Sequence, residues 1–265
     1  MNAYKKFGYF YDEVMASLNY DLWLEFIEEY LKPNDKILDL ACGTATLVTM
    51  LKLKGYDAEG LDLSESIIEI AKEKRKINHL DFELYVQDMT KFNTFKKYDM
   101  ITCFFDSVNF LDNISKVKKM FDCVHKHLNQ NGYFIFDIFS KELEREYENN
   151  IINEDYETFK INWTTKKSSP KTLKHTIKIN DGDDDFIESY YEYYYDIKEL
   201  IHKGFKLVKI SGDFNEDYHY INSESDILNL LGVKVTRGKN TIEIDSSNMK
   251  NAEIPCEYSS KLRAS

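Results

Sequence analysis

Four acidic residues stand at the ends of successive apolar runs in the first half of this chain. Asp39 falls in Lys36-Ile37-Leu38-Asp39-Leu40 and Asp62 in Glu59-Gly60-Leu61-Asp62-Leu63. Asp88 sits in Gln87-Asp88-Met89, and Asp106 in Phe104-Phe105-Asp106-Ser107-Val108-Asn109. An ionised carboxylate is an acceptor-only group. At a strand's end it can therefore take both hydroxyls of a ribose, as Asp62 would, or the amino group of an adenine, as Asp88 would. After Asp39 the chain runs Ala41-Cys42-Gly43-Thr44-Ala45-Thr46. Such a turn of small side chains lets backbone N–H groups approach a ligand in the crevice beyond a parallel strand. Any one of these acids alone reads as a turn former or a helix cap. Four of them, in order after four successive strands, point to a nucleoside site.

The nucleoside is not carried by the usual phosphate cradles. The turn after Asp39 supplies one glycine where a dinucleotide fingerprint wants G-x-G-x-x-G, and no G-K-[ST] follows. Metal chemistry has no ligand spacing to support it. Cys42, Cys103, Cys123 and Cys256 are far apart, with no C-x-x-C pair, and His125 and His127 are two residues apart, facing different ways on a helix. We expect no metal and no disulfide. For proton transfer the candidates near the crevice mouth are Asp106, Asp137 and the tyrosines of 190–195. No one of them is singled out as catalytic.

The elements that must position these groups follow from hydrophobic period. Strands are expected over Lys36–Leu40, Asp57–Leu61, Phe82–Val86, Tyr98–Phe104 and Tyr133–Ile138. Helices are expected over Thr44–Lys54, Ser64–Lys76 and Ile114–His127, with Gly55 and Gly132 at left-handed helix ends. This alternation predicts an α/β fold: a Rossmann-like, doubly wound, mostly parallel sheet. Ahead of it, apolar residues at spacings of three and four between Tyr4 and Leu31 predict two amphipathic helices. These cover a sheet edge, or bring Tyr11 and Trp23 over a ligand. After Phe139 the period changes to that of an antiparallel β insert, with turns at Lys167–Pro170 and Asn180–Asp183. A helix over Ile197–Lys203, ended by Gly204, and a strand over Phe205–Ile210 return to the core. The expected division is 1–140 for the ligand-binding core, 141–200 for the insert, 201–222 for the return, and 223–265 for an atypical tail. In that tail Asp226–Leu231 reads as a short helix closed by Gly232. Val233–Thr236 and Thr241–Ile244 read as a hairpin.

Residues 4 to about 214 resemble the class I S-adenosylmethionine-dependent methyltransferases of the YqeM-like, small-molecule type. The resemblance rests on Tyr4-x-x-Phe7-x-x-x-Tyr11-Asp12, Trp23, Leu38–Thr44, Asp62-Leu63-Ser64, Gln87-Asp88-Met89, Asp106-Ser107-x-Asn109-Phe110-Leu111 and Gly132–Ile138. It implies S-adenosylmethionine (SAM) as cofactor; SAM has no pyrophosphate and needs less of a glycine cradle. It implies Ala41 and Gly43 under the methionine part, Asp62 on the ribose, Asp88 and Met89 framing adenine, and Tyr11 and Trp23 as a lid. Asp39, Thr44, Leu63, Gln87, Phe105, Asp106 and Asn109 complete the expected cofactor site. The insert would shape the acceptor pocket. The chain departs from the family in two places. Ala45 stands where the family has Gly, and no terminal strand of the type E-R-I-x-F-V follows Phe214.

The tail resembles a different family. Leu230–Thr236, Asn240–Asn248 and Glu253–Ser265 look like an internal piece of UDP-N-acetylglucosamine enolpyruvyl transferase, without that family's Lys-Asn pair or loop Cys. A fusion that replaced the terminal strand is the implied history, with Thr241–Ile244 expected in the vacant slot. Three readings follow: an active methyltransferase on a small molecule, a SAM-binding protein that lost catalysis with its terminal strand, and an enolpyruvyl transferase remnant. The formal net charge of −11 opposes a nucleic-acid partner. Residues 224–265 hold six acidic and six basic side chains, so the acidic excess lies in residues 1–223. No apolar run spans a bilayer and the N-terminus has no apolar signal core, so the expected setting is cytoplasmic, without membrane contact.

Overall fold

The computed structural model describes residues 6–139, 144–145, 147–200, 205–212 and 228–235. Five parallel strands form its centre: β1 (Lys36–Leu40), β2 (Asp57–Asp62), β3 (Leu84–Val86), β4 (Tyr98–Cys103) and β5 (Leu128–Phe139), in the order β3-β2-β1-β4-β5. The order reverses at β1, which puts the crevice for a ligand at the carboxyl ends of β1 and β4.

The helices are α2 (Tyr20–Glu28), α3 (Thr46–Leu53), α4 (Glu65–Ile77) and α5 (Ile114–His127), preceded by a 3-10 turn over Phe7–Tyr9 and the short α1 (Tyr11–Val14). Alternate strand residues explain the two-sided cover. Leu38, Ile101, Phe134 and Phe136 point into one apolar layer with Val117, Met120, Phe121 and Val124 of α5. Ile37, Met100 and Ile135 point into the other, against Leu24 and Ile27 of α2, Val48 and Leu51 of α3, and Ile68 and Ala71 of α4. A strand buried on both faces must be apolar almost throughout, as β1 is. Side-chain caps start two helices: Ser64 Oγ accepts from Ile67 N (3.4 Å) and Asn113 Oδ1 from Lys116 N (3.0 Å). Each cap contributes about 1 kcal/mol.

The insert is a four-stranded antiparallel meander: β6 (Ile151–Asp155), β7 (Lys160–Ser169), β8 (Thr172–Asn180) and β9 (Asp185–Tyr193). Its buried face, including Ile161, Ile177, Ile179 and Tyr190, closes over Phe7, Phe10, Tyr11 and Phe110. The insert and the N-terminal segment thus share one apolar cluster. At the hairpin tip Asp181 Oδ1 accepts from Asp183 N and Asp184 N, so the acid caps its own turn. After α6 (Ile197–Leu200) come β10 (Phe205–Gly212) and β11 (Leu228–Val235).

Several expectations need correction. Leu228–Val235 is one strand, not a short helix followed by a hairpin arm. It pairs antiparallel with β5, from Leu228 opposite Phe139 to Lys234 opposite Tyr133, and with β10 on its other side. The slot beside β5 is therefore filled by 228–235, which rules out Thr241–Ile244 there; that stretch itself lies outside the described residues. The sheet reads β10-β11-β5-β4-β1-β2-β3. Gly132 is not a left-handed helix end but a residue within β5. A Cβ there would come 3.0 Å from Asp99 O, so close approach explains the glycine. Of the two N-terminal helices, the first is only a 3-10 turn and one turn of α-helix. Gly55 does take the left-handed cap (φ +91°). Gly204 lies outside the described residues.

Candidate functional site

The loop from β1 to α3 is built from three left-handed residues in alternation: Ala41 (φ +53°), Gly43 (φ +55°) and Ala45 (φ +60°). Glycine adopts this conformation at no steric cost, whereas alanine does so against its Cβ. The small side chains matter for space as well. A Cβ added to Gly43 would meet nothing within 4 Å, because that position opens into the cavity. Cys42 packs against Gly60 of β2, where any Cβ would come 2.7 Å from its Sγ. Ala45 is the N-cap of α3 and has no side chain to close it, so the first N–H groups of that helix have no side-chain cap, and Thr46 and Leu47 of its first turn line the cavity.

The cavity at the strand ends has about 1320 Å³ of empty space, part of it open to solvent. The loop, with Asp39, Ala41, Gly43 and Thr44, forms its floor. Asp62, at the end of β2, is braced from both sides: Gly43 N donates to Oδ2 (3.1 Å) and Ser64 N to Oδ1 (2.8 Å). Each oxygen keeps a lone pair for a ligand hydroxyl. Leu63, 56% exposed, and Met89 line the cavity as apolar surfaces beside Asp88. Asp88 Oδ1 takes both Thr90 N and Thr90 Oγ1. Although partial burial raises its pKa, these bonds and Lys91 outweigh that and hold the carboxyl below its ordinary value. The Gln87 amide is spent on its own turn, bonding Asn93 N (2.7 Å) and Asn93 O (3.2 Å).

Eleven of the expected site residues line this one cavity: Tyr11, Asp39, Ala41, Gly43, Thr44, Asp62, Leu63, Gln87, Asp88, Met89 and Phe105. Trp23, Asp106 and Asn109 do not. Trp23 lies behind Phe105 (ring centroids 4.7 Å apart) and donates its indole N–H to Asp137 Oδ2 (2.9 Å). Asp137 also accepts from Phe105 N (3.0 Å) and Asp106 N (2.8 Å), two left-handed residues it holds in place. That triple demand makes Asp137 a brace for the loop after β4. Asn109, fully buried, joins that loop to the insert by donating to Tyr193 O (2.9 Å). The tyrosine of the cavity that sequence did not single out is Tyr20; Thr46, Phe104 and Ser107, which also line it, fall in the two quoted stretches after β1 and β4. Phe110 and Leu111 do fall within the quoted motif, whereas Tyr20 carries no signal beyond its place three residues before Trp23.

A polar latch ties the N-terminal segment to the loop. Lys74 Nζ of α4 reaches Asp12 Oδ2 (2.5 Å), Thr44 Oγ1 (2.9 Å) and Thr46 Oγ1 (2.8 Å), while Thr44 Oγ1 donates to Asp12 Oδ1 (2.5 Å). Asp12 follows Tyr11, so the latch holds Tyr11 over the cavity.

Carboxylates dominate the electrostatics. Burial pushes Asp39 up to about 7 even though Thr102 Oγ1 donates to it (2.6 Å). Burial also raises Asp62, against the two N–H donors, and pushes Asp137 up to about 6. Asp106 is raised well above the ordinary carboxyl range by burial, with the charges of Asp137 and Glu192 adding to it. Asp39, Asp62 and Asp88, the acids that line the cavity, favour a ligand with positive charge. No group of three or more His, Cys, Asp or Glu among the described residues is arranged to hold a metal ion. None of the described helices is long and apolar enough to cross a membrane.

Residues 31–194 match the family model described as a methyltransferase domain. A protein of Geobacillus sp. (strain WCH70) that carries a methyltransferase name is 30% identical over 231 residues, covering 81% of this chain and 94% of its own. The Bacillus subtilis (strain 168) protein YqeM, likewise named a methyltransferase, is 28% identical over 232 residues, covering 83% and 94%. Among solved structures, an S-adenosylmethionine-dependent methyltransferase from Clostridium acetobutylicum superposes with a TM-score of 0.75. It is 28% identical and is matched over 89% of this chain and 100% of its own.

Proposed function

Since the chain belongs to the methyltransferase-domain family, we propose that it transfers the methyl group of S-adenosylmethionine to a small-molecule acceptor. The observation that supports this is the cavity at the carboxyl ends of the parallel strands, lined by Gly43, Asp62 and the Asp88–Met89 pair, residue types that suit a nucleoside. The residues suit the cofactor's parts in turn. The open Gly43 position and the uncapped start of α3 suit the methionine end, whose carboxylate favours a helix N-terminus. Asp62 has lone pairs for both ribose hydroxyls, and Leu63 and Met89 offer apolar faces to adenine, with Asp88 at its edge. When bound, the cofactor supplies an electrophilic methyl on a sulfonium, and the chemistry itself belongs to the cofactor. The protein's part is to orient the two reactants and exclude water. Here the latch of Asp12 and Lys74 holds Tyr11 over the cavity, and the insert packs behind Tyr11 and Phe110, two residues of its lining.

A small acceptor is favoured because Tyr11 and Phe110, which line the cavity, are held under the insert in one apolar cluster. The reading in which catalysis was lost with the terminal strand has little ground, since Leu228–Val235 pairs along β5. Titration calorimetry with SAM and S-adenosylhomocysteine tests the proposal. One-to-one binding is expected, weakened at least tenfold in Asp62→Asn; no heat with either compound would refute it.

A further inference from the structure

Where the insert meets the core, the loop after β4 and strand β9 enclose a second polar cluster. Asn109 Nδ2 pins that loop to Tyr193 O (2.9 Å), and Glu192 is the neighbouring residue of β9. Glu192 is 8% exposed and His175 of β8 is 3% exposed. Trp163 Nε1 donates to His175 Nδ1 (3.1 Å), and an indole can only donate. Nδ1 is therefore the acceptor, and the neutral imidazole carries its proton on Nε2. That Nε2 lies 3.1 Å from Glu192 Oε2 but off the line of a hydrogen bond. Across the junction Asp106 Oδ1 is wholly buried with no hydrogen-bond partner. Asp106 sits between Phe105 and Ser107, both of which line the cavity. Aromatic faces surround the cluster: Tyr190 stacks on His175 (4.8 Å) and on Phe110 (5.2 Å), and Phe110 and Tyr11 line the cavity.

A buried carboxylate at Glu192 and a part-buried one at Asp106, whose Oδ1 is itself buried and unbonded, call for a ligand with several donors and positive charge. An ammonium has up to three N–H donors and gains from aromatic faces. A hydroxyl has one donor, and a carboxylate would be repelled. We propose that the methyl acceptor is an amine, bound as its ammonium between Asp106 and Glu192, with Glu192 taking its proton. This rests on the methyltransferase reading above. The balance is simple: R–NH3+ gives one proton to the Glu192 carboxylate, freeing the nitrogen lone pair. The N–C bond then forms as the sulfur–carbon bond breaks, with its electron pair left on sulfur. The product leaves as R–NH2+–CH3, and Glu192 returns its proton to water.

The test uses the full chain saturated with S-adenosylhomocysteine and three matched probes: 2-phenylethylamine, 2-phenylethanol and phenylacetate. Calorimetry should show the amine binding at least tenfold more tightly than the alcohol or the acid. Glu192→Gln, or Asp106→Asn if the first variant does not fold, should weaken the amine at least tenfold while S-adenosylhomocysteine binds as before. Should S-adenosylhomocysteine bind but the amine show no preference, or the variant hold it equally well, the amine assignment falls and the methyltransferase reading stands. If neither SAM nor S-adenosylhomocysteine binds, the parent reading fails, and this one with it.

Discussion

Asp39 gives the most direct test of the electrostatics of the cavity. Its carboxyl lies at the end of β1 at 5% exposure, with a hydroxyl as its hydrogen-bond donor and a pKa pushed by burial from 3.8 to about 7. A carboxyl whose pKa is raised by folding makes the folded state bind more protons than the unfolded one, so stability falls as pH rises between the two values. The interval from 3.8 to about 7 corresponds to about 4 kcal/mol at about 1.4 kcal/mol per pH unit, of which about 3 kcal/mol is lost between pH 5 and pH 8. Asp39→Asn keeps the shape and an acceptor for Thr102 but cannot ionise. Urea unfolding at the two pH values, without cofactor, should therefore show the variant gaining about 3 kcal/mol on the parent from pH 5 to pH 8. Binding of a sulfonium cofactor should move the other way, weakening in the variant at pH 8, where the parent presents a carboxylate. If the stability difference between the two proteins were the same at both pH values, Asp39 would not be a buried, proton-holding carboxyl and the reasoning would be wrong.

Two further outcomes follow from the loop and its latch. At Ala45 the left-handed backbone costs about 1–2 kcal/mol. Ala45→Gly relieves this, offset by the glycine's entropy of about 0.4–1 kcal/mol and the loss of a buried methyl at about 0.8 kcal/mol. Stability by urea unfolding should stay within about 1 kcal/mol of the parent, and SAM affinity should be the same or tighter; clear weakening would show the loop misread. Lys74→Met removes an ion pair whose partner Asp12 is 43% exposed, so unfolding free energy should change by about 1 kcal/mol or less. The same change leaves only the Thr44–Asp12 bond to hold Tyr11 at the loop, and calorimetry should show SAM bound about three- to tenfold more weakly, about 0.7–1.4 kcal/mol at RT ln of that ratio; unaltered affinity would remove Lys74 from the latch.

The parallel core was legible because β1 and β4 are short, mostly apolar runs separated by helix-period segments, and burial on both faces leaves little choice of residue. The acids that end those strands were legible for the same reason: a charge after an apolar run marks where the strand leaves the core. What sequence could not supply were contacts made across the chain. Trp23 was legible as an aromatic near the site, but its partner Asp137 is 114 residues away and turns it from lid to brace. Tyr20 reaches the cavity only because α2 packs beside Phe105. Strand β6 is exposed at every position, on the edge of the insert, so it carries no alternation to detect. Over 228–231 local pattern favoured helix, and pairing with β5 and β10 on both sides prevailed over it; Val233–Val235 was expected extended and is.

The donors given to each buried carboxylate separate the brace from the site. Asp137 receives an indole and two backbone N–H groups, and Asp62 two backbone N–H groups. The fold offsets both charges, but Asp137 is used up on its loop, whereas Asp62 keeps a lone pair on each oxygen for a ligand hydroxyl. Asp39 has the Thr102 hydroxyl, and Asp106 has a buried oxygen with no partner at all. A buried polar group left short of partners is costly unless something else satisfies it. One of the two under-satisfied acids lies in β1 on the cavity floor, and the other in the loop after the adjacent strand β4, between the cavity-lining Phe105 and Ser107. Methyl transfer from a sulfonium to an amine brings two positive charges into one site, one with each reactant. The unmet demand for positive charge falls at two places as well, which is the distribution that such a reaction needs and that a site for one cationic ligand alone would leave unexplained.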